Sequence, residues 1–349
     1  MDKSFLIYGA NGYTGELITR YAVERGMRPI LAGRNAAAVG ELGAKHRLEH
    51  RVFALYETEK VDAALREVEM VLHCAGPFSI TSRAMVEACL RNKKHYTDIT
   101  GEIAVFEACA RLDEKAKAAG IMVMPGVGFD VVPSDCLARH FKDRLPSATH
   151  LSLAFYGMGR ISHGTQATMT MNVGNGGAIR KNGVITPVPA AWKTREIDFG
   201  EAKKTGTTIP WGDIATAFYS TGIPNIEVFT VIPPKNLTML KLSRYLGWLL
   251  ATGPFQNYLQ KKIPAGGPSD EERTAGKTLL WGEASDGEGN RVEARQQGPE
   301  GYTLTALAAL NIAEKILSGN FMPGYQTPAK AYGPNLVLEI EGVERQDVS

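Results

Sequence analysis

The sequence has few cysteines, and none of them stands close to another. Cys74, Cys89, Cys109 and Cys136 are widely separated and form no C-x-x-C pair. This spacing argues against a structural zinc site and against the disulfide framework of a small secreted domain. We therefore expect a protein of a reducing compartment that has no metal centre.

An excess of one charge is also missing, since 39 basic and 37 acidic residues give a net charge of +2. Such a balance creates no field that would attract nucleic acid, and we expect no nucleic-acid partner. The 349 residues are 44 % hydrophobic and 22 % charged, which is an ordinary globular composition and enough chain for two domains. The first predicted strand begins by about Ser4, which leaves no room for a signal peptide and predicts a cytoplasmic protein.

What the sequence does contain is a glycine-rich turn, GANGYTG at residues 9–15, between an apolar run and the amphipathic run 13–25. The pattern predicts a buried strand, a turn and a helix. Gly9 would allow a sharp turn, Gly12 would let the backbone approach a pyrophosphate, and Gly15 would let the helix pack closely on the sheet. The phosphates would then face the helix N-terminus. The alternative is a connecting turn without a ligand. The predicted cofactor contacts in this segment are Gly9, Ala10, Asn11, Gly12, Tyr13, Thr14 and Gly15.

The end of the second predicted strand, residues 28–32, indicates which dinucleotide is bound. An NAD site usually places Asp or Glu there, where the carboxylate accepts hydrogen bonds from the ribose hydroxyls. This chain has Gly33 followed by Arg34, and a guanidinium can bind a 2′-phosphate through charge-assisted hydrogen bonds. We therefore predict NADP(H) as the cofactor, with Gly33 and Arg34 as contacts. The alternative is that Arg34 only begins a helix in solvent.

Strand and helix patterns alternate six times up to residue 126. This alternation predicts an α/β fold, an N-terminal Rossmann-type doubly wound parallel sheet followed by a second α+β domain. Ligands of such sheets lie at the carboxyl ends of the strands, which places the loops 74–78, 98–102 and 126–135 around the nicotinamide. The predicted cofactor contacts in the first loop are Ala75, Gly76, Pro77 and Phe78. The polar candidates in the other two loops are Asp98, Thr100, Glu102, Asp130, Ser134 and Asp135, of which the last two could instead cap a helix.

The sequence changes character near residue 149, which indicates a domain boundary. We predict an NADP-binding domain at 1–145 and a substrate and dimerisation domain at 146–320, with 321–349 packing back on the first domain. The elements predicted in the second domain are a strand at 150–157, a helix at 163–177, an irregular segment at 178–215, strand-like patterning at 216–232, a hairpin at 281–297 and a helix at 301–319.

Residues 236–263 form a basic, apolar segment in a stretch that lacks carboxylates. Its uncharged run is broken by Gly253 and Pro254 and is shorter than the roughly 20 apolar residues needed to span a bilayer. Two basic amphipathic helices could lie on an anionic membrane, such as the inner face of the plasma membrane, or cover an apolar substrate channel. An ordinary helical hairpin or a homodimer contact is the alternative.

Several motifs occur together in one order: GANGYTG, LAGRN, CAGPF, HYTDITGE and GFDVVPSD, followed by GPSDEERTAG, WGEA, GYTLTALAAL and TPAKAYG. In this order they resemble the saccharopine dehydrogenase-like oxidoreductases, in particular the branch of the trans-acting enoyl reductases. The resemblance covers nearly the whole chain. It implies an NADP(H)-dependent reduction of a C=C or C=N bond, with Asp130 matching an acidic residue of the substrate site. Saccharopine-forming members need cationic groups for α-carboxylates, whereas the loops here are acidic and apolar, which favours a lipid-like or acyl substrate over an amino acid.

The reduction of an enoyl group needs a proton donor besides the hydride. The candidates are Asp130 and Glu102, followed by Tyr156 and His163, although each of them could instead be a capping or supporting residue. A Tyr-x-x-x-Lys pair, as in short-chain dehydrogenases, occurs at residues 56–60 and 258–262. Neither copy comes directly after the fifth predicted strand, where a site on this sheet would need it, and we therefore reject this class. The rival from another class is a non-catalytic NADP(H) sensor or a lipid-associated scaffold.

Overall fold

A computed structural model of the chain describes residues 4–157, 160–171, 176–233, 236–238, 240, 252–260, 262–263 and 266–348. The chain divides into two compact units. The first unit comprises Met1–Val132 and Tyr302–Ala331, and the second comprises Pro133–Gly301 and Tyr332–Ser349. Within the described residues, each unit contains one sheet.

The sheet of the first unit has seven parallel strands. They are β1 (Phe5–Tyr8), β2 (Ile30–Gly33), β3 (His50–Val52), β4 (Met70–His73), β5 (His95–Asp98), β6 (Met122–Met124) and β15 (Gly324–Tyr325). Their order across the sheet is β15-β6-β5-β4-β1-β2-β3. From β1 the chain adds β2 and β3 on one side, and then returns to add β4, β5 and β6 on the other side. Doubly wound sheets bind their ligands at this change of direction, between β1 and β4. The predicted Rossmann-type fold is confirmed.

Helices alternate with these strands along the chain. They are α1 (Tyr13–Glu24), α2 (Ala36–His46), α3 (Thr58–Arg66), α4 (Phe78–Asn92), α5 (Ile103–Ala110), α6 (Asp113–Ala119) and, later in the sequence, α12 (Gly301–Leu317) and α13 (Pro328–Tyr332). All residues of β1, β2, β4 and β5 are buried, as expected for parallel strands covered on both faces. Between β5 and β6 the chain forms two helices, α5 and α6. Asp113, the first residue of α6, accepts a hydrogen bond from the Tyr325 N–H at 2.7 Å and so anchors β15.

The second unit contains a nine-stranded sheet of mixed direction. Its strands are β7 (His150–Gly157), β8 (Gly177–Lys181), β9 (Val184–Val188), β10 (Thr194–Asp198), β11 (Lys203–Thr208), β12 (Asn225–Val231), β13 (Lys277–Ser285), β14 (Arg291–Pro299) and β16 (Glu344–Asp347). The main path is β10-β11-β12-β7-β13-β14-β16, and the β8–β9 hairpin pairs with β12. Only β7 and β12 run parallel. The helices described in this unit are α7 (Val132–Arg144), α8 (His163–Met171), α9 (Asp213–Thr221), α10 (Gly253–Gln260) and α11 (Asp270–Ala275).

Two predictions for the second unit are wrong. The segment 178–215 is not irregular, because it contains most of β8 and all of β9, β10 and β11. The strand-like segment 216–232 begins inside a helix, α9, and only its second part forms β12. The reason is that strands such as Lys203–Thr208 are polar and partly exposed, so that cross-strand pairing and not an apolar run determines them. The predicted hairpin at 281–297 is present as β13 and β14.

The two units differ in outline from the domains proposed on sequence. The first unit ends at Val132 and not at 145, and it includes helix α12, which the sequence places in the second domain. Of the C-terminal residues 321–349, those up to Ala331 group with the first unit, whereas strand β16 pairs with β14 of the second. Residues 239, 241–251 and 261 of the basic segment 236–263 lie outside the described residues. No helix within the described part of the chain combines the length and apolar character needed to cross a membrane.

Candidate functional site

The glycine-rich turn follows β1 as the sequence predicts. Gly9 has a φ of +84°, a conformation that glycine adopts without strain. The N–H groups of Gly9 and Ala10 both donate to the carbonyl oxygen of Ala32, at 2.7 and 3.2 Å. A Cβ on Gly9 would lie 2.8 Å from the Cβ of Ala75. Gly9 therefore makes the sharp turn and brings it against both β2 and the loop after β4.

Two further glycines set the start of helix α1. A Cβ on Gly15 would lie only 2.3 Å from the carbonyl oxygen of Gly9, so this position requires glycine for the close packing of helix and turn. Gly12 is the exposed N-terminal cap of α1. Asn11 beside it is exposed, and Thr14 is partly exposed. The exposed backbone at a helix N-terminus is the feature that pyrophosphate binding requires.

The end of β2 lies next to this turn. A Cβ on Gly33 would come within 2.9 Å of the Asn11 Oδ1 atom, so only glycine leaves the Asn11 side chain in place. Arg34 is exposed, and within the described part of the chain no residue forms a hydrogen bond or an ion pair with it. Helix α2 begins after Arg34 with Asn35 as its cap, whose Oδ1 accepts the Ala38 N–H at 3.1 Å. The Arg34 guanidinium is thus available for an anion beside the turn.

The loop after β4 is held by a partly exposed threonine and a buried histidine. The Thr81 hydroxyl donates to the carbonyl oxygen of Ala75 at 2.6 Å and lies 2.9 Å from the His73 Nε2 atom. Complete burial lowers the pKa of His73 to about 3, so the ring is neutral. The peptide bond between Gly76 and Pro77 is cis. The predicted contacts Ala75–Phe78 therefore lie at the carboxyl end of β4, adjacent to the glycine-rich turn.

Glu102, one of the predicted proton donors, has a different role in the structure. Its two carboxylate oxygens accept hydrogen bonds from the backbone N–H groups of Phe78, at 2.7 Å, and Ser79, at 3.0 Å. Phe78 is the first residue of α4, so Glu102 caps the N-terminus of that helix from another loop. We therefore assign Glu102 a structural role, which is the alternative that the sequence left open.

Asp98 is fully buried at the end of β5 and organises the loops around it. Its Oδ1 atom accepts the N–H groups of Thr100 and Gly126, each at 2.9 Å, and its Oδ2 atom accepts the Tyr96 hydroxyl at 2.6 Å. Burial raises the pKa of Asp98 to about 6, although these hydrogen bonds act in the opposite direction. The carboxyl group is enclosed by protein and is not placed to contact a substrate.

Asp130 is a further acidic residue at this edge of the sheet. It is partly exposed, and burial raises the pKa of its carboxyl group to about 7. The carboxyl group rests on Gly101, where a Cβ would lie 2.6 Å from the Asp130 Oδ2 atom. A carboxyl group with this pKa is partly protonated at neutral pH and can serve as a proton donor.

The sequence did not identify the contribution of helix α12 to this region. The Thr305 Oγ1 atom accepts the Phe129 N–H at 3.0 Å, and a Cβ on Gly128 would lie 2.8 Å from the Thr305 Cγ2 atom. The Tyr302 ring meets the Tyr13 ring edge-on, with centroids 5.1 Å apart. The GYTLT motif is the sequence feature that could have identified this contribution. Its position more than 170 residues after Phe129 gives no indication that Tyr302–Ala331 belongs to the first unit.

The other candidates belong to the second unit. Tyr156 lies on β7 against an apolar cluster, with its ring centroid 6.1 Å from that of Phe199. His163 is exposed at the start of α8, and its backbone N–H donates to the Gly266 carbonyl oxygen at 2.8 Å. Asp135 is fully buried in the first turn of α7 and accepts a hydrogen bond from the Ser220 hydroxyl. Ser134, next to it, is also buried. Asp135 therefore has a hydrogen-bond partner within its own unit. The role of Tyr156 and His163 as proton donors stays a prediction.

The first unit fits a dinucleotide. Exposed backbone at the start of α1, an accessible guanidinium at Arg34 and three glycines that exclude side chains lie at one edge of a parallel sheet. Among the described residues, no group of three or more His, Cys, Asp or Glu side chains is arranged to hold a metal ion.

Comparison with known proteins agrees with this fit. Residues 5–124 match the family model described as the saccharopine dehydrogenase NADP binding domain, which confirms the predicted NADP(H) cofactor class. The saccharopine dehydrogenase-like oxidoreductase of Mus musculus is 24 % identical over 202 residues, which cover 50 % of this chain and 47 % of that protein. The trans-acting enoyl reductase of Mycobacterium leprae is 29 % identical over 142 residues, 38 % of this chain and 34 % of that protein. The chain thus spans less than half the length of these relatives.

Among solved structures, saccharopine dehydrogenase (L-Glu forming) from Saccharomyces cerevisiae aligns over 99 % of this chain and 100 % of that chain, with a TM-score of 0.69 and 12 % identity. At this identity the similarity establishes the fold alone. Residues 5–124 therefore match the saccharopine dehydrogenase NADP-binding domain, and the chain resembles the saccharopine dehydrogenase-like oxidoreductases in sequence and in fold, as its motifs indicate.

Proposed function

We propose that this chain is an NADP(H)-dependent oxidoreductase that reduces a C=C or C=N bond, and that its substrate is an enoyl group of a lipid-like or acyl molecule. The observation that carries this proposal is Asp130, a partly exposed residue whose carboxyl group has its pKa raised by burial to about 7, at the carboxyl edge of an NADP-binding sheet. Hydride transfer to an enoyl or an imine leaves a centre that needs a proton, and such a carboxyl group can supply it.

The residues that would hold the cofactor follow from the geometry of the first unit. The exposed backbone around Gly12 would bind the pyrophosphate, and the Arg34 guanidinium would bind the 2′-phosphate. The loop Ala75–Phe78 would border the nicotinamide. When bound, the reduced nicotinamide supplies the hydride.

Asp130 would protonate the substrate after it has accepted the hydride. In an enoyl substrate, negative charge develops on the carbonyl oxygen and the α-carbon, and the protonated carboxyl group of Asp130 would donate to one of them. In an imine substrate it would donate to the nitrogen.

The composition of the surrounding loops supports an uncharged substrate. The segments 74–78, 98–102 and 126–135 contain no Lys or Arg. An α-amino acid would bring carboxylates that require cationic partners, and these loops offer carboxylates instead. Similarity to a protein named as a trans-acting enoyl reductase points in the same direction.

The deciding experiment measures transfer of deuterium from 4R- or 4S-deuterated NADPH to enoyl thioesters of different chain length, to cyclic imines and to a 2-oxo acid with an amino acid. Deuterium in an enoyl product supports the proposal. Transfer only to the amino-acid adduct would indicate a saccharopine-type dehydrogenase. NADPH binding without transfer to any acceptor would favour the sensor or scaffold. Asp130→Asn should bind NADPH as the wild type does and transfer little label.

The remaining partners are proposed on sequence alone. Contact of residues 236–263 with an anionic membrane, a homodimer and a cytoplasmic location at the inner face of the plasma membrane all depend on patterns and composition. Flotation with anionic and with zwitterionic liposomes at low salt tests the membrane contact. Absence of the protein from both floating fractions would contradict it.

A further inference from the structure

We propose that Asp98 and Glu102 are positioning residues, which together hold the segment Thr100–Glu102 in the conformation on which the Asp130 carboxyl group rests. The inference deepens the proposed function and depends on it for the role of Asp130. It assigns a task to two buried or capping carboxylates that do not themselves meet a substrate.

The first half of this arrangement is centred on Asp98. A single oxygen, Oδ1, accepts the N–H of Thr100 from the loop after β5 and the N–H of Gly126 from the loop after β6. The backbone carbonyl of Asp98 also accepts the N–H groups of Gly126 and Val127, at 3.0 and 2.7 Å. The Tyr96 hydroxyl fixes the other carboxylate oxygen. Asp98 thus joins the loops that follow two neighbouring strands.

The second half is centred on Glu102. Its carboxylate holds the N–H groups of Phe78 and Ser79 at the start of α4, and its own N–H donates to the Thr100 Oγ1 atom at 3.0 Å. The loop after β5 is thereby attached to the loop after β4. Asp98 and Glu102 together connect the ends of β4, β5 and β6 through their side chains, in addition to the backbone hydrogen bonds that Gly126 and Val127 donate to Asp98.

Gly101 stands between the two attachments. Its neighbour on one side, Thr100, is bound by Asp98, and its neighbour on the other side, Glu102, is bound to α4. The Asp130 carboxyl group packs directly on Gly101, so closely that a Cβ there would approach the Asp130 Oδ2 atom to 2.6 Å. The position and the partial burial of Asp130 therefore depend on the conformation of a residue that is fixed on both sides.

Several groups contribute to the charge near Asp98. The titratable groups that act on it or that it acts upon are Tyr96, Glu102, Cys74 and Cys109. Burial raises the pKa of both thiols, so they are uncharged and Glu102 is the carboxylate that opposes ionisation of Asp98. Asp98→Asn removes this charge and keeps an oxygen that can accept both N–H groups.

The test follows the titration of Asp130 and needs neither cofactor nor substrate. Aspartate is labelled with ¹³C at the carboxyl carbon, and the Asp130 signal is identified by its loss in Asp130→Asn. We expect a midpoint near pH 7 in the wild type and a fall of about one unit or more in Glu102→Ala, because a loosened loop admits water to the carboxyl group. Amide exchange at residues 78 and 79 should become faster in the same variant.

Two variants separate positioning from general stability. Asp113→Ala removes a carboxylate that holds the Tyr325 N–H and pairs with Lys117 at 2.7 Å in the same unit, away from the three loops, and it should leave the Asp130 titration unchanged. Asp98→Asn should retain the wild-type midpoint, since its shape and acceptor are kept.

The inference is overturned if Glu102→Ala and Asp113→Ala titrate alike, or if the amides at 78 and 79 exchange faster while the Asp130 midpoint stays where it is. Failure of the proposed function is a separate result. If the wild-type protein transfers no hydride but its Asp130 midpoint responds to Glu102→Ala alone, the function is wrong and the positioning role stands.

Discussion

The carboxyl edge of the first sheet is built differently on its two sides. At the ends of β1 and β2, the absence of side chains matters: Gly9, Gly15 and Gly33 each face atoms closer than 3.0 Å to where a Cβ would be. At the ends of β5 and β6, by contrast, carboxylates determine the geometry, with Asp98 buried and Asp130 partly exposed. We expect the first side to bind NADP(H), and we propose that the second side carries the carboxyl group that acts on the substrate.

The largest effect is expected from a substitution on the second side that removes the proton donor and leaves the cofactor site on the first side intact. Asp130→Asn should lower the rate of hydride transfer about 10²- to 10⁴-fold, the usual contribution of a general acid, while NADPH affinity stays within about threefold. In the wild type the rate should fall as the pH rises above about 7, because the acid is then ionised. Single-turnover rates measured between pH 5 and 9 check both points. A variant that keeps the wild-type rate would remove Asp130 from the chemistry.

The next largest effect is expected from a substitution that disrupts the close packing of the glycine-rich turn on the first side. Gly15→Ala places a Cβ 2.3 Å from the Gly9 carbonyl oxygen and should lower the free energy of unfolding by about 3 kcal/mol and abolish NADPH binding. Gly40→Ala is the matched control, because its Cβ meets nothing closer than 3.7 Å in helix α2. Urea unfolding followed by circular dichroism measures both. Equal stability of the two variants would contradict the close packing of turn and helix.

Arg34→Ala tests the specificity of the first side. We expect NADPH affinity to fall roughly 10- to 100-fold with NADH affinity unchanged, since the guanidinium would contact only the 2′-phosphate. Arg66→Ala, another exposed arginine of the same unit, is the control. Calorimetric titration with both nucleotides gives the ratio. Retention of the NADPH preference in Arg34→Ala would rule out this residue as the phosphate contact.

A smaller effect links the pKa of Asp130 to stability. Its pKa is raised from 3.8 to about 7 in the folded protein, so the folded state binds the proton more tightly and the stability it contributes is lost as the pH rises through 7. The free energy of unfolding of Asp130→Asn, relative to wild type, should therefore rise by about 1 kcal/mol or more between pH 4 and pH 8. Denaturant unfolding at the two pH values measures it. A difference that stays constant with pH would show that Asp130 is not buried enough to be perturbed.

The smallest effect concerns the second unit. Tyr156→Phe should change the transfer rate by less than about threefold if Asp130 supplies the proton, because the tyrosine ring packs on an apolar cluster that phenylalanine also fills. The same single-turnover assay checks this. A loss as large as that of Asp130→Asn would transfer the role of proton donor to Tyr156.

Much of the first unit could be predicted from sequence because its strands are buried on both faces. Runs such as Phe5–Tyr8 and Met70–His73 are continuously buried and mostly apolar, and the glycines mark the turns between them. The second unit resisted this reasoning. Thr194–Asp198 and Lys203–Thr208 are polar strands whose existence depends on pairing with each other, which no local pattern records.

The site shows the same division. The glycine-rich turn and Arg34 are contiguous motifs, and their placement follows from the order of strands. The role of Glu102 depends on hydrogen bonds to residues 78 and 79, more than 20 positions earlier, and Thr305 meets Phe129 from 176 positions later. Contacts over such separations cannot be deduced from composition or spacing, and for that reason the sequence leaves Glu102 open between proton donor and capping residue and places α12 in the second domain.

The most direct test of the central claim is a calorimetric titration of the folded protein with NADPH and with NADH. The account predicts saturable binding of NADPH that is about tenfold or more tighter than that of NADH. Absence of binding by both nucleotides would contradict the account as a whole.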